Sequence, residues 1–319
     1  MALSDLAVFS EYVYTAQTEV LRQQVDLFNA ASRGTILLRT VAHAGDYADS
    51  VFWAKVAGLV RRRNPYGAGA VTAKNLEHLV DTMVKVAAGT PPVNMPPSQF
   101  RWIQRNPEEG GTILGQQLAK DTLADMVNTA VLGLSAALSN DAAVTVDDGG
   151  NTFDFATFNA GQSKFGDAFT DIRAWVMHSK PLFDLFGAAI ANGESLFSFE
   201  NVNVRQDGFG RVFIISDSPG LIDVTPTPDE YRTLGLTEGA VRVDQNDDFD
   251  DNMDTDNGDE NILRTYQAEW SYNLGIKGYA WDKANGGAAP NDAALAMSTN
   301  WDRTATSHKD LAGVLVITR

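Results

Sequence analysis

Cysteine is absent from the 319 residues. That removes disulfides, thiolate metal sites and cysteine nucleophiles together, and it fits synthesis in a reducing cytoplasm. Basic residues are also scarce, with 25 Lys and Arg against 41 Asp and Glu and a formal net charge of −16. Nucleic-acid binding as a main activity requires clustered cations against phosphate, so this balance argues against it. It favours solubility and mutual repulsion at low salt. No apolar run approaches the roughly 18 to 20 residues that cross a bilayer. The opening MALSDLAVFSEYVYTAQTEV has acids where a secretory signal carries a basic segment ahead of an apolar core. What remains is a 44% hydrophobic, 21% charged chain, long enough for two domains or one large elaborated one.

Along the chain, Val8, Tyr12, Val20 and Leu27 are only loosely helical in spacing, which predicts a partly helical, extended N-terminal arm. Residues 45–97 hold two β-branched-rich flanks around RRRNPYGAG, whose Asn-Pro pair and glycines form turns. That pattern predicts a long hairpin with a basic end and too few apolar residues for a core of its own. Asn106 can cap a helix, Pro107 suits its first position, and Glu108 and Glu109 favour its positive end, although Gly110 and Gly111 weaken the first turn. Leu114, Leu118, Leu123, Val127, Val131, Leu134 and Leu138 then recur at helical spacing as far as Asn140. About thirty residues at 1.5 Å each give a rod of roughly 45 Å.

Downstream, VTVDDGGNTFDF reads as a strand pair turning at Asp148-Gly149-Gly150. Phe165, Phe169, Ile172 and Trp175 repeat as a second helix would. Ser179 or Lys180 precedes a helix opening at Pro181, with a stripe of Leu182, Leu185, Phe186 and Ile190, stopped at Asn192-Gly193. Strands are expected over 199–224, with a turn at Asp207-Gly208, then in EWSYNLGIKGYAW with Trp270, Tyr272, Leu274 and Ile276 on one face, and in the tail. The class is α+β, since the strands do not follow βαβ order.

Three stretches invite a catalytic or metal reading. His178, Ser179 and Lys180 are adjacent, but neighbours in extended chain point to opposite faces, and the Ser–Lys arrangement needs Ser-x-x-Lys. A helix-entry corner with a partly buried histidine is the better reading, and His43, His78 and His308 stand in no motif. The acidic tract from Asp244, DQNDDFDDNMDTDNGDEN, misplaces Gly258 and lacks the closing glutamate of a calcium loop. Weak divalent binding among Asp250, Asp254, Asp256 and Asp259 is outweighed by a solvated loop held open by its own repulsion. DGFGR lacks the third glycine of a dinucleotide fingerprint. The sequence therefore gives no catalytic residue, metal site or cofactor. Arg61, Arg62 and Arg63 read instead as an ion-pair contact with acids on another copy of the chain.

The order of these parts resembles the major capsid proteins of tailed bacteriophages, with the Hong Kong 97-type fold. GDYADSVFWAKVAGLVRRRNPY resembles their extended loop and WIQRNPEEGGTILGQQLAKDTLADMVNTAVLGLSAALS their spine helix. AWVMHSKPLFDLF with GFGRVFIISDSPGL resembles their axial domain, and NWDRTATSHKDLAGVLVITR is similar to their ending. The resemblance implies an N-terminal arm at 1–44, an extended two-stranded loop at 45–97, and the spine helix and peripheral domain at 98–173. It also implies an axial domain at 174–262 and return strands of the peripheral and axial domains at 263–319. On this reading the chain self-assembles into hexamers and pentamers of an icosahedral virion shell around double-stranded DNA, built in the host bacterial cytoplasm. Its partners would be copies of itself, a separate scaffolding protein in place of a cleaved N-terminal one, a portal, a decoration protein and weakly held DNA, with no membrane. Contact between copies falls on Arg61, Arg62 and Arg63, with Phe52, Trp53 and Tyr66 as apolar anchors. The alternatives are a nanocompartment shell, which shares the fold, and a soluble serine hydrolase built on Ser179 and His178.

Overall fold

The computed structural model describes residues 3–53, 59–76, 78–96, 101, 103, 105–187, 194–199, 202–207, 210–256, 260 and 262–319, with side chains for all of these except 3–6, 52, 53 and 256. The first half runs α1 (Leu3–Ala31), β1 (Ile36–Thr40), β2 (Tyr47–Trp53), β3 (His78–Gly89), β4 (Val93–Met95), α2 (Pro107–Ser139), β5 (Thr145–Asp147) and α3 (Phe155–Ser163). It continues with β6 (Ile172–Met177), α4 (Ser179–Phe186), β7 (Glu194–Phe199), β8 (Val202–Gln206), β9 (Val212–Ser216), β10 (Ile222–Asp223) and β11 (Glu230–Thr237). The last part is β12 (Val241–Gln245), β13 (Asp250–Asp256), β14 (Leu263–Ile276), β15 (Tyr279–Trp281), α5 (Asp292–Leu295), β16 (Trp301–Arg303) and β17 (Gly313–Thr318).

Two sheets share one rod. The first is ordered β1-β12-β14-β15-β16, with β3, β4 and β13 also on the long strand β14 and β2 on β3. The second is ordered β5-β17-β11-β6-β9-β8-β7, with β10 on β11. Helix α2, about 50 Å long at 1.5 Å per residue, touches strands of both. All the stripe residues expected from spacing except Leu114 are buried in it. Contrary to the expectation from sequence, one stretch of it is long and apolar enough on average to cross a bilayer, yet 72% of that stretch lies inside the protein. Tyr272 of β14 donates to Asp125 of α2 at 2.7 Å, and its hydroxyl lies 2.9 Å from the Thr129 hydroxyl. Asn106 occupies the cap position without a side-chain cap; its amide donates to Glu109 at 2.8 Å instead.

The arm expected to be partly helical and extended is helical over 29 residues, α1. Its buried stripe is Phe9, Val13, Gln17, Leu21 and Phe28, at four-residue steps until the last, whereas Tyr12 and Leu27 are exposed. Gly111 and Gly115 of α2 explain how closely it packs. A Cβ on Gly111 would stand 2.7 Å from the Phe9 carbonyl oxygen, and one on Gly115 would stand 2.5 Å from that of Val13. The glycines that weaken the helix as an isolated turn are the ones that let a second helix dock on it. Asn29, near the end of α1, donates to the Leu38 carbonyl at 2.7 Å and accepts its N–H at 2.9 Å. The amide thus occupies one peptide's worth of the open edge of β1, which would otherwise be a template for pairing.

Two further expectations are corrected. Asp148–Gly150 does turn, but only β5 precedes it as a strand; the chain beyond runs to Asp154, which caps α3 by accepting from Thr157. The helical repeat Phe165–Trp175 resolves into a 3₁₀ turn over Gly166–Asp171 and then strand β6, bonded on one side to β9 and on the other to β11. A strand buried on both faces needs no alternation, so its apolar run imitates a helix. Helix α4 stops at Gly187, where φ is +52°; Ile190 and the expected stop at Asn192-Gly193 lie outside the described residues.

Two outcomes follow. Gly115→Ala should cost about 1–3 kcal/mol by overpacking, read by chemical denaturation, with faster proteolysis of α1; Gly69→Ala, which meets nothing within 4 Å, should change neither. Burial raises the carboxyl of Asp81, on β3, to about 6 against the weaker pull of Arg242. Its folded-state proton is held more tightly than in the unfolded chain. This group therefore removes stability as pH rises from about 4 to about 6, by up to about 3 kcal/mol. Asp81→Asn should be more stable than wild type at pH 7, with the gap closing below pH 4; equal melting curves at pH 7 would refute this.

Candidate assembly surfaces

Strand β3 changes partners midway. Residues Val84–Gly89 pair with β14 inside the sheet, while His78–Met83 pair only with β2, whose register runs from Tyr47↔Val84 to Trp53↔His78. The strand pair therefore leaves the body of the protein as a hairpin, as expected. Its base is fixed by Lys283, which reaches both oxygens of Asp49 at 2.8 and 3.0 Å and lies 5.0 Å from the Tyr47 ring centroid. Hydrogen bonds from Lys283 and Thr82 hold the Asp49 carboxyl below its usual range. Lys283 lies 234 residues from Asp49 in the chain, and no local signal in the sequence joins them.

Beyond the paired strands every described residue from 59 to 76 is exposed. Asn64 organises a turn, accepting the Tyr66 N–H on its side chain at 3.0 Å and the Gly67 N–H on its carbonyl at 3.3 Å. Arg61, Arg62, Arg63 and Tyr66 share this tip. Tyr66 is 96% exposed and Val60, beside the arginines, 95%. Among the described residues the three arginines make no ion pair within the chain. Phe52 and Trp53 stand in β2 at the outer end of the pairing, but their side chains lie outside the described ones. Leu59 and Val60 were not singled out from sequence; an apolar pair abutting three arginines was the available sign.

The His178 corner is a helix cap. His178 has extended backbone and accepts the Lys180 N–H at 3.2 Å on Nδ1. The Ser179 Oγ lies 3.4 Å from the same nitrogen, so the two side chains do meet, contrary to the opposite-faces expectation. The reason is that the helix starts between them. Strands β6 and β9 run parallel with Met177 opposite Ile215, which brings Asp217 beside the corner. Its carboxylate accepts the Ser179 N–H at 3.1 Å and lies 3.4 Å from His178 Nε2. Partial burial opposes the Asp217 charge, but the Ser179 hydrogen bonds and the His178 charge outweigh it and leave the carboxyl below its usual range. The Nδ1 lone pair a base would use is directed to a backbone N–H, and the contact to Oγ is long. The arrangement positions α4 against β9.

The acidic tract is not a solvated loop over most of its length. Asp244 holds Arg39 in a two-point pair at 2.8 and 3.0 Å across β1 and β12. Asp248 accepts the Ser271 N–H at 2.9 Å and its hydroxyl, and lies 3.5 Å from Lys85. Asp251 accepts the Ser10 hydroxyl at 2.5 Å and the Tyr266 hydroxyl at 3.1 Å. The segment Asp250–Asp256 pairs with β14 along its whole length. Hydrogen bonds and counter-charges overcome the repulsion. Asp250 and Asp254 are four strand residues apart, about 14 Å at 3.4 Å per residue, too far to share an ion. The Asp256 side chain and Asp259 lie outside the described residues.

No curated protein sequence matched the chain. Similar solved structures include one from Mycobacterium phage Cain, with TM-score 0.52, 10% identity and 90% of each chain covered. Others are the head structure of Helicobacter pylori bacteriophage KHP40 (TM-score 0.49, 13% identity, 91% and 88% covered) and the capsid asymmetric unit of cyanophage Pam1 (0.49, 10%, 86% and 85%). The first of these shows a shared fold, a mixed α and β chain threaded by one long helix. A model of the Gp13-like family, described as Major capsid protein 13-like, matches residues 5–315. The chain therefore has the Hong Kong 97-type fold and belongs to the Gp13-like family of bacteriophage major capsid proteins.

Proposed function

We propose that this major capsid protein assembles into hexamers and pentamers that close as an icosahedral shell around double-stranded DNA, formed in the host cytoplasm. The observation that carries the reading is the tip at 59–76, in which every described residue is exposed. Apolar side chains such as Val60 and Tyr66, held out on an anchored hairpin, gain burial only against another molecule. Arg61, Arg62 and Arg63 then pair with acids of a neighbouring subunit, and Phe52, Trp53 and Tyr66 supply apolar anchors. A standard specific contact buries about 1,600 Å² in total, and many modest contacts repeated around a closed shell act together. The functional division is an arm at 1–44, an extended loop at 45–97, the spine and peripheral domain at 98–173, the axial domain at 174–262 and return strands at 263–319. A separate scaffolding protein, a portal and a decoration protein complete the particle, and its work is binding rather than bond-making.

The net charge of −16 suits this role. A wall dominated by carboxylates releases few counterions on meeting DNA and binds it weakly, leaving the genome free to slide during packaging. Replacing Arg61, Arg62 and Arg63 together by Glu should abolish closed particles in electron micrographs while circular dichroism and gel filtration still report folded subunits or capsomers. Particles of normal number and shape from that variant would contradict the reading.

A further inference from the structure

We propose that the base of the hairpin is a proton-dependent latch: β3 pivots at Val84, and the charge state of Asp81 decides whether its outgoing half lies against the first sheet or swings clear of it. Every part lies within one subunit, so the latch does not depend on assembly.

The pivot follows from the strand register. Val84 is paired at once with Leu274 of β14 and with Tyr47 of β2. Just beyond, β14 folds back from Ile276 into β15 at Tyr279, and β15 also touches β3. The outgoing residues His78–Met83 are therefore bonded to β2 and not to β14, and the hairpin can swing without breaking the sheet. Side chains hold it down. Met83 covers Gly275 of β14, where a Cβ would stand 2.5 Å from Met83 Cγ. Arg242 of β12, directly opposite Gly275, reaches to 3.9 Å from Asp81. On the other face of the hairpin Lys283 holds Asp49 at 2.8 Å.

Asp81 is the sensitive member. It is 9% exposed, and its Oδ1 has no hydrogen-bond partner. Its one ion pair, at 3.9 Å, is far longer than a charge-assisted hydrogen bond. A carboxylate so buried and so poorly compensated is costly when charged. The neighbouring charges are engaged elsewhere. Lys85, on the same face of β3, lies 3.5 Å from Asp248, and Asp244, two residues along β12 from Arg242, holds Arg39. On the β2 side Ser50 stands opposite Asp81, Asp46 is exposed, and His43 is bonded to the Tyr47 carbonyl at 2.9 Å. On the β15 side Tyr279 lies in the field of Asp141 and Arg303, and Asp282 accepts the N–H groups of Ala284 and Asn285.

The sign of the effect follows. Burial, against the weaker pull of Arg242, places the Asp81 carboxyl at about 6 with the hairpin down; swung into water it returns to the ordinary range near 4. The closed position thus binds the proton more tightly. Its advantage is full below about pH 4 and is lost as pH rises through about 6, a fall in the closed-to-open ratio of up to about a hundredfold. Because His78–Met83 carry no bond to β14, the hairpin opens locally in response and the sheet stays folded. Asp49 acts in the opposite sense. Hydrogen bonds from Lys283 and Thr82 lower its carboxyl, so this second hold persists at neutral pH and fails only as pH falls below the ordinary carboxylate range. The base is tightest in weak acid and looser at neutral pH.

The chain has no cysteine, so Val51→Cys on the hairpin and Gln116→Cys on α2, both exposed positions, take one spin label each in the full-length subunit. Pulsed electron resonance should show one distance at pH 5 and a growing second one toward neutral pH. The closed-to-open ratio should be about tenfold lower at pH 8 than at pH 5 and level off above about pH 6. Asp81→Asn, which cannot ionise, should give the same ratio at both pH values, and Arg242→Gln, which removes the counter-charge, should enlarge the change. An equal wild-type ratio at pH 5 and pH 8, a change that persists in Asp81→Asn, or a smaller change in Arg242→Gln would overturn the latch.

Discussion

The docking of α1 on α2 through Gly111 and Gly115 is the contact on which the rest of the body is assembled. It turns a single rod into a helix pair that is apolar on more than one side, so that sheets can pack on it from different directions. One end of the pair carries β1 and the first sheet, whose edge Asn29 covers; along its length α2 reaches the second sheet as well. Without the close approach, the stripe of Phe9, Val13, Leu21 and Phe28 would have no surface to cover, and an isolated helix with so many solvent-facing apolar groups would be marginal.

That body satisfies most of its own charges. Its acids find Arg39, Lys85, Lys283 and hydroxyl donors, and its aromatic residues are sunk between helix and sheet. The tip of the hairpin is different, since it offers charge and apolar surface that the chain does not complete.

Much of this was legible in the order of residues, and the exceptions have physical causes. The spine stood out because Leu118 through Leu138 lie on a helix whose periodicity is undisturbed by charge. The hairpin stood out because Asn64-Pro65 and flanking glycines leave a chain with turn chemistry and no core. Helix α1 was obscured by Gln17, a polar residue in the middle of its buried stripe, and by exposed Tyr12 and Leu27 that suggested the wrong face. Trp175 misled for the opposite reason, sitting in a strand buried on both sides. The Asp217–Ser179 bond and the Lys283–Asp49 bond join residues 38 and 234 positions apart, and only the register of the sheets brings them together. Residues 250–256 read as repelled coil because their partner strand, which supplies the compensating bonds, comes later in the chain.

The central claim is that the tip is completed by another copy. Hydrogen–deuterium exchange at residues 59–76, compared between the isolated subunit and the closed particle, addresses it directly. The account requires exchange near the unprotected rate in the subunit and slowing by about a hundredfold or more in the particle, as expected for amides buried at an interface, while the α2 amides stay protected in both. Equal, rapid exchange of the tip in both states would contradict it.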